Sequence, residues 1–336
     1  MIHAQGLART FQTKRGREKA EVTAVAGVDI DVDEGEIVGF LGPNGAGKTT
    51  TLRMLTTLLT PTSGTATVAG HDLYREPVKV RQSIGYVSQS GSVSSEARAG
   101  DEIVDHGMLY GISRQQALSR GHELFDQLDL GGMWQRQART LSGGQRRRLD
   151  IAMGLVHDPK LVFLDEPTTG LDPQARANLW VHIADLRAKL GSTVFLTTHY
   201  LDEADALCDR IMVIDHGSIV ASDTPEALKQ AVAGDLVELV VTDAGQVAGA
   251  GARLGELAAA AGEGRGPVRA AVPPDVEVDG LRVSMRVPQA ATLLPRLLRS
   301  LDADGVLLAS VDVRRPTLDD VFLNLTGRSL RDDNAA

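Results

Sequence analysis

The run Gly42-Pro43-Asn44-Gly45-Ala46-Gly47-Lys48-Thr49 spells G-x-x-x-x-G-K-[ST]. That spacing suits phosphate chemistry. Gly42, Gly45 and Gly47 let the backbone turn tightly and aim its N–H groups at phosphate oxygens. Lys48 brings a point positive charge to β and γ phosphates, and the Thr49 hydroxyl can ligate Mg²⁺. Thr50 belongs with the same phosphate contacts. A second group follows the apolar run Leu161-Val162-Phe163-Leu164, where Asp165 and Glu166 come in succession. Asp165 can hold Mg²⁺ directly or through water. Glu166, one residue further, can polarise a water for attack on a γ-phosphate. Alone, the two acids would read better as solvated groups at a strand end. A phosphate loop in the same chain reverses that preference.

A third group is Leu141-Ser142-Gly143-Gly144-Gln145, followed by Arg146, Arg147 and Arg148. Ser142-Gly143-Gly144 reads as the cap of a helix over Leu149–Val156, with a positive dipole end that can bind an anion. Two readings stand: a plain N-cap, or a contact to nucleotide held by another copy, since this chain already has its own phosphate cradle.

These groups need particular elements to position them. Glu36–Leu41 reads as a strand entering the phosphate loop, and Thr50–Leu59 as a helix leaving it, with Leu52, Leu55, Leu58 and Leu59 at helical spacing. Strand, loop, helix is the context the motif requires. The uninterrupted apolar run 161–164 predicts a buried strand of a parallel sheet, and ligands of such sheets sit at the carboxyl ends of strands. Residues 90–156 carry helical pattern at Asp101–Tyr110 and Arg114–Leu128. The charged segment Gln12–Glu21 reads as a solvated hairpin or loop.

Together these residues resemble the nucleotide-binding subunit of an ABC transporter, over about residues 1–228. The resemblance implies that Gln89, in Tyr86-Val87-Ser88-Gln89, is the Q-loop glutamine, reaching toward Mg²⁺ and a membrane partner. Asp172, in Gly170-Leu171-Asp172, falls in the D-loop. His199, in Leu196-Thr197-Thr198-His199, is the switch histidine that senses the γ-phosphate. Phe11 stands where the family usually has a tyrosine stacked on adenine, and it keeps an aromatic face. Ala97–Glu102 departs from the family pattern where the coupling helix of a permease is received.

The expected architecture is α/β: a P-loop ABC ATPase cassette over 1–228, with a helical subdomain at about 90–156, and a small C-terminal domain over 229–336. In that second domain, strands are expected at Leu236–Val241, Val268–Val272, Leu281–Val287 and Val306–Val313. Helices are expected at Gln246–Ala261 and Ala291–Leu301, with a connection at Pro273–Asp279. The order βαββαβ is ferredoxin-like. The segment Arg315–Leu323, continuing to Leu325-Thr326-Gly327-Arg328, resembles the C-terminal end of the daunorubicin-resistance type of ABC ATPase. Leu318, Val321, Phe322 and Leu325 form an apolar helical face, either packed on its own domain or contacting another subunit.

Composition narrows the function further. The chain has 336 residues, 43% apolar, with a formal net charge of −9. An acidic chain of this kind argues against nucleic acid as a partner. Cys208 is the single cysteine, so no intrachain disulfide forms, and it reads as a small core residue. No apolar stretch is long enough to span a membrane and no signal peptide opens the chain. The resemblance implies an ATP-hydrolysing subunit of an exporter, using ATP and Mg²⁺. Two copies would face head to tail on the cytoplasmic face of the plasma membrane, held there by a separate permease that exports drugs, antibiotics or lipids. The alternatives are an importer ATPase with a regulatory C-terminal domain and a soluble ABC ATPase not coupled to transport.

Overall fold

The computed structural model describes residues 1–15, 18–231, 234–262, 276–287 and 290–327. Among these the chain divides into two units, Met1–Pro225 and Glu226–Gly327.

The first unit contains an antiparallel sheet, ordered β2-β1-β4-β5. Its strands are β1 (Ile2–Arg15), β2 (Glu18–Val32), β4 (Ser63–Val68) and β5 (His71–Asp72). β1 and β2 remain paired as far as Arg15 and Glu18, so the charged segment at 12–21 is the tip of a hairpin, with 16 and 17 outside the described residues. The other sheet has six strands, ordered β10-β9-β3-β8-β7-β6. They are β3 (Ile37–Leu41), β6 (Ile84–Val87), β7 (Leu161–Asp165), β8 (Thr193–Thr198), β9 (Arg210–Asp215) and β10 (Ser218–Asp223). All pairings are parallel except the β9–β10 hairpin. Every residue of β3, β7 and β8 is buried, which is why these strands are uninterrupted apolar runs rather than alternating ones. The two sheets share one core, in which Ile2, Leu7 and Ile30 pack with Phe40, Leu52, Phe163 and Phe195.

Register brings the chemical groups to one edge. Leu41 pairs with Thr198 and Asp165 with Thr197, so β3, β7 and β8 end side by side. Helix α1 (Lys48–Leu55) leaves the loop after β3. It stops short of the expected Leu59 because Thr57 takes a left-handed φ of 63°, and Leu58 is left exposed. After α2 (Pro77–Ser83), the segment between β6 and β7 supplies α3 (Ala99–Leu109), α4 (Arg114–Gln127) and α5 (Gly143–Leu155). α3 packs closely there: a Cβ on Gly100 would lie 2.3 Å from the Trp134 ring. The remaining helices are α6 (Pro173–Leu190) and α7 (Leu201–Leu207), while α8 (Pro225–Ala231) starts at the boundary and belongs from Glu226 on to the second unit. Cys208 caps α7 and is buried against β3, where a Cβ on Gly39 would stand 2.6 Å from its Sγ.

The second unit has its own core. Its elements run β11 (Asp235–Val241), α9 (Val247–Gly262), β12 (Glu277–Asp279), β13 (Arg282–Val287), α10 (Ala290–Ala303), β14 (Leu308–Arg314) and α11 (Leu318–Thr326). The sheet order is β12-β13-β11-β14 with every pairing antiparallel, the ferredoxin-like arrangement. Val237, Leu239 and Val241 pack against Ala250, Leu254, Leu297 and Leu301.

Two expectations change here. The strand expected at Val268–Val272 lies outside the described residues. The strand beside β13 is Glu277–Asp279, within the segment expected to be a connection. Asp279 pairs with Arg282 around Gly280, whose φ of 59° suits the first central position of a type II′ hairpin turn. The other change concerns α11. Leu318, Val321 and Phe322 are buried within this single chain, so most of the apolar face considered for a subunit contact is already covered, while Leu323 and Leu325 stay exposed.

Candidate active site

The loop at 42–47 is shaped by two different glycine requirements. A Cβ on Gly42 would sit 2.3 Å from Ile214 O, so only glycine permits that approach. Gly45 and Gly47 have φ of 80° and 109°, which side chains disfavour. Gly47 also caps α1 without any side-chain hydrogen bond, leaving the first N–H groups of the helix to a ligand. Pro43 and Ala46 are buried in the loop, whereas Asn44 and Gly45 are exposed at its tip. Lys48 is 4% exposed, and its Nζ donates to Gly42 O at 2.8 Å and Pro43 O at 3.1 Å. Thr49 and Thr50 follow on the first turn.

Glu166 is the hub. Its Oε1 lies 3.4 Å from Lys48 Nζ. Its Oε2 accepts from Gln89 Nε2 at 2.9 Å and Thr169 Oγ1 at 3.1 Å, and lies 3.3 Å from His199 Nδ1. Burial alone would raise this carboxyl, but His199, Lys48 and Thr169 outweigh it and hold the pKa down to about 2. Burial has the opposite consequence for Lys48, whose pKa is lowered despite Glu166.

Asp165, 1% exposed, accepts on one oxygen from Thr49 Oγ1 at 3.1 Å and from Thr197 Oγ1 at 2.7 Å. The Thr49 hydroxyl and the Asp165 carboxylate are hard oxygen donors, brought together from the loop and the strand end. That suits Mg²⁺, which takes few protein ligands and keeps waters and phosphate oxygens. Gln89, also expected beside the metal, has its amide nitrogen on Glu166 instead, so only its carbonyl oxygen could face a cation.

The structure does not gather every expected residue at that point. Ser142 caps α5 in a capping box with Gln145, and Leu141 is buried just before it. Ser142, Gly144 and Gln145 line a cleft of about 200 Å³ with Arg148, Asp172, Gln174, Ala175 and Asn178, a set that includes no residue of the 42–49 loop. Asp172 is itself a cap, accepting from Ala175 N at 2.9 Å at the start of α6. Phe11 is half-buried on β1 opposite Val22, with the Arg9 guanidinium 4.7 Å from its ring centroid. β2, which carries Val22, also packs on Gly47 through Ala24 and Val25.

Thr197, Thr169 and Arg147 were not among the expected site residues. Thr197 lies beside Thr198 in β8, where the apolar strand turns polar before His199. That change was the available signal.

A family model described as ABC transporter matches residues 25–169. Over nearly its whole length, the chain is 40% identical over 332 residues to the daunorubicin resistance ATP-binding protein DrrA3 of Streptomyces coeruleorubidus, covering 98% of this chain and 100% of that one. The chain belongs to the ABC transporter ATP-binding proteins. Within them it is also 41% identical over 308 residues to the doxorubicin resistance ATP-binding protein DrrA of Mycobacterium tuberculosis, covering 92% and 90% of the two chains. Among solved structures it resembles the ATP-binding cassette MJ0796, a dimer in a post-hydrolysis state bound to ADP and Pi. That match has a TM-score of 0.60 at 25% identity and covers 67% of this chain and 98% of the other. The cassette is an ATPase. Among its described residues no helix is long and apolar enough to cross a membrane.

Proposed function

We propose that this cassette hydrolyses ATP to drive export of drug-like, antibiotic or lipid molecules through a separate membrane permease. The observation that carries the chemistry is the Glu166 carboxylate, buried and ionised between Lys48 and His199 where β3, β7 and β8 end. The drug-export reading rests on the likeness to the daunorubicin and doxorubicin resistance proteins. Binding to the permease would place the chain on the cytoplasmic face of the membrane.

ATP lies with its phosphates on the N–H groups of 42–50, its β and γ charges met by Lys48, and its adenine against Phe11. Thr49 and Asp165 would hold Mg²⁺, with only the Gln89 carbonyl oxygen left to join them, and the ion would supply charge neutralisation for the phosphates. A carboxylate with a pKa of about 2 is a weak base, but two of the groups that depress it, Lys48 and His199, are on this reading ligands of phosphate as well. When Lys48 and His199 turn to phosphate oxygens, two influences that hold the carboxyl down are relieved, and Glu166 becomes more basic where a water must be oriented. The Ser142–Gly144 cap and the neighbouring Asp172 meet the nucleotide of a second copy, so two chains close head to tail over two ATP molecules.

Glu166→Gln tests this reading. It should keep nucleotide binding, lower hydrolysis by at least about 100-fold and accumulate an ATP-bound dimer on sizing. Normal turnover in the purified variant would remove Glu166 from the mechanism. Co-expression with a multi-span permease should confer efflux of a fluorescent anthracycline, abolished by Glu166→Gln. Efflux that persists in the variant would separate this ATPase from transport.

A further inference from the structure

Arg147 sits in α5 with 7% of its surface exposed, and its guanidinium is spent on three backbone carbonyls. Nε donates to Pro167 O at 2.8 Å, Nη2 to Asp165 O at 3.0 Å and Nη1 to Ser88 O at 2.6 Å. The first two acceptors bracket Glu166. The third belongs to the residue before Gln89, whose amide donates to the Glu166 carboxylate. Glu166 has φ of 44°, a left-handed conformation that persists in a non-glycine residue only when its surroundings enforce it. Thr197 holds the Glu166 N–H from one side, through both its Oγ1 and its carbonyl oxygen. Arg147 holds the two flanking carbonyls.

The neighbouring arginines do nothing of the kind. Arg146 is exposed, and Arg148 lies 3.4 Å from His182 Nε2. Three divergent carbonyls suit the planar fork of a guanidinium, with donors fixed in separate directions. A lysine ammonium cannot reproduce that arrangement.

We propose that Arg147 is a positioning residue for hydrolysis, clamping the backbone on both sides of Glu166 and beside Gln89. This rests on the role given to Glu166 above. Arg147 lies about one turn beyond the Ser142–Gly144 cap, on the same helix. A displacement of α5 therefore pulls on the peptide units that aim this chain's own carboxylate. In the head-to-tail dimer, α5 meets the partner's nucleotide, so occupancy of one site reaches the Glu166 of the other.

The test compares Arg147→Lys and Arg147→Gln with Arg146→Lys as a surface control, in the full chain. Turnover is expressed per chain that binds a fluorescent ATP analogue, so unfolded material does not count. Both Arg147 variants should lose at least about tenfold in kcat while KM and analogue affinity change by less than about twofold, and the control should match the parent. In the Glu166→Gln background, Arg147→Lys should lower the residual rate by less than about twofold, because the two residues act through one carboxylate. A purely structural role would lower the melting temperature without moving kcat per binding-competent chain. That result in both variants overturns the proposal, as does a full multiplicative loss in the Glu166→Gln background. If neither variant binds nucleotide at all, Arg147 is a folding residue and the proposal fails. Normal turnover of Glu166→Gln alone would instead indict the reading of Glu166.

Discussion

At the residue scale, the Glu166 carboxylate lies 3.4 Å from Lys48 Nζ and 3.3 Å from His199 Nδ1, and those two partners come from different parts of the chain. Gly42–Thr49, the pair Asp165 and Glu166, and His199 each announce themselves by type and local spacing. The contacts that set their properties do not. Thr197 and Asp165 are 32 positions apart, and Arg147 stands in the sequence as the middle one of three consecutive arginines. If Lys48 meets phosphate in the ground state, as proposed, Lys48→Ala should weaken ATP binding itself by at least about tenfold; fluorescent-analogue titration measures this. Glu203 is another residue without a sequence signal. It is fully buried and accepts from Trp180 Nε1 at 3.2 Å. Burial raises its carboxyl, and Thr198, Thr168, Trp180 and Arg176 only partly offset that. A raised folded value means that the stabilising contribution is complete below the ordinary carboxylate range and is lost as pH rises through the folded value. Glu203→Gln should therefore melt at or above the parent near pH 8, with that advantage shrinking near pH 5. Thermal scans at the two pH values check it, and an advantage that grows toward acid would reverse the assignment.

At the element scale, two glycines in the helical segment make opposite predictions. A Cβ on Gly143 meets nothing closer than Leu171 Cδ2 at 3.7 Å, an ordinary contact. Gly143→Asp should therefore fold and bind ATP almost normally, yet fail to close the proposed head-to-tail dimer, in which it would set a carboxylate against the nucleotide of the second copy. Equal loss of ATP binding in this variant and in Lys48→Ala would refute a shared site. Gly100→Ala should instead lower the melting temperature by several °C, since its new methyl runs into the Trp134 ring. The helices and the parallel strands were legible for a physical reason. Burial on one stripe or on both faces imposes a period or an unbroken apolar run. β12 had neither, because its three residues are all exposed, and only the turn at Gly280 could have marked it.

At the scale of the whole molecule, each unit has a separate apolar core, so a chain ending at Pro225 should still bind ATP. Such truncation is expected to weaken association with the permease or the second copy. Co-purification of full-length and shortened forms measures that, and unchanged assembly would leave residues 226–336 without an assembly role. The burial of Phe322 redirects attention within α11. Phe322→Ala should cost about 3–5 kcal/mol through the cavity it leaves, seen as early loss of the second unit on denaturant titration. Leu323→Ser and Leu325→Ser should be nearly neutral for folding, and any effect on co-purification would identify the surface that helix offers. The ferredoxin-like order was legible in outline from alternating strands and amphipathic helices. Which apolar face of α11 remained outside was not, because helical spacing records that a stripe will be covered without recording by what.

The close seat of Cys208 against Gly39 has a practical side. The chain's only thiol is buried, and desolvation raises its pKa well above that of a free cysteine. Maleimide and nitroxide reagents, which react with the exposed thiolate, should therefore leave it alone at neutral pH while the protein stays folded. The natural sequence then serves as a silent background for site-directed labelling. A reporter thiol at Leu109, 84% exposed at the end of α3, would be modified selectively. Spin–spin distances between two labelled copies could follow closure on ATP without first removing a native cysteine.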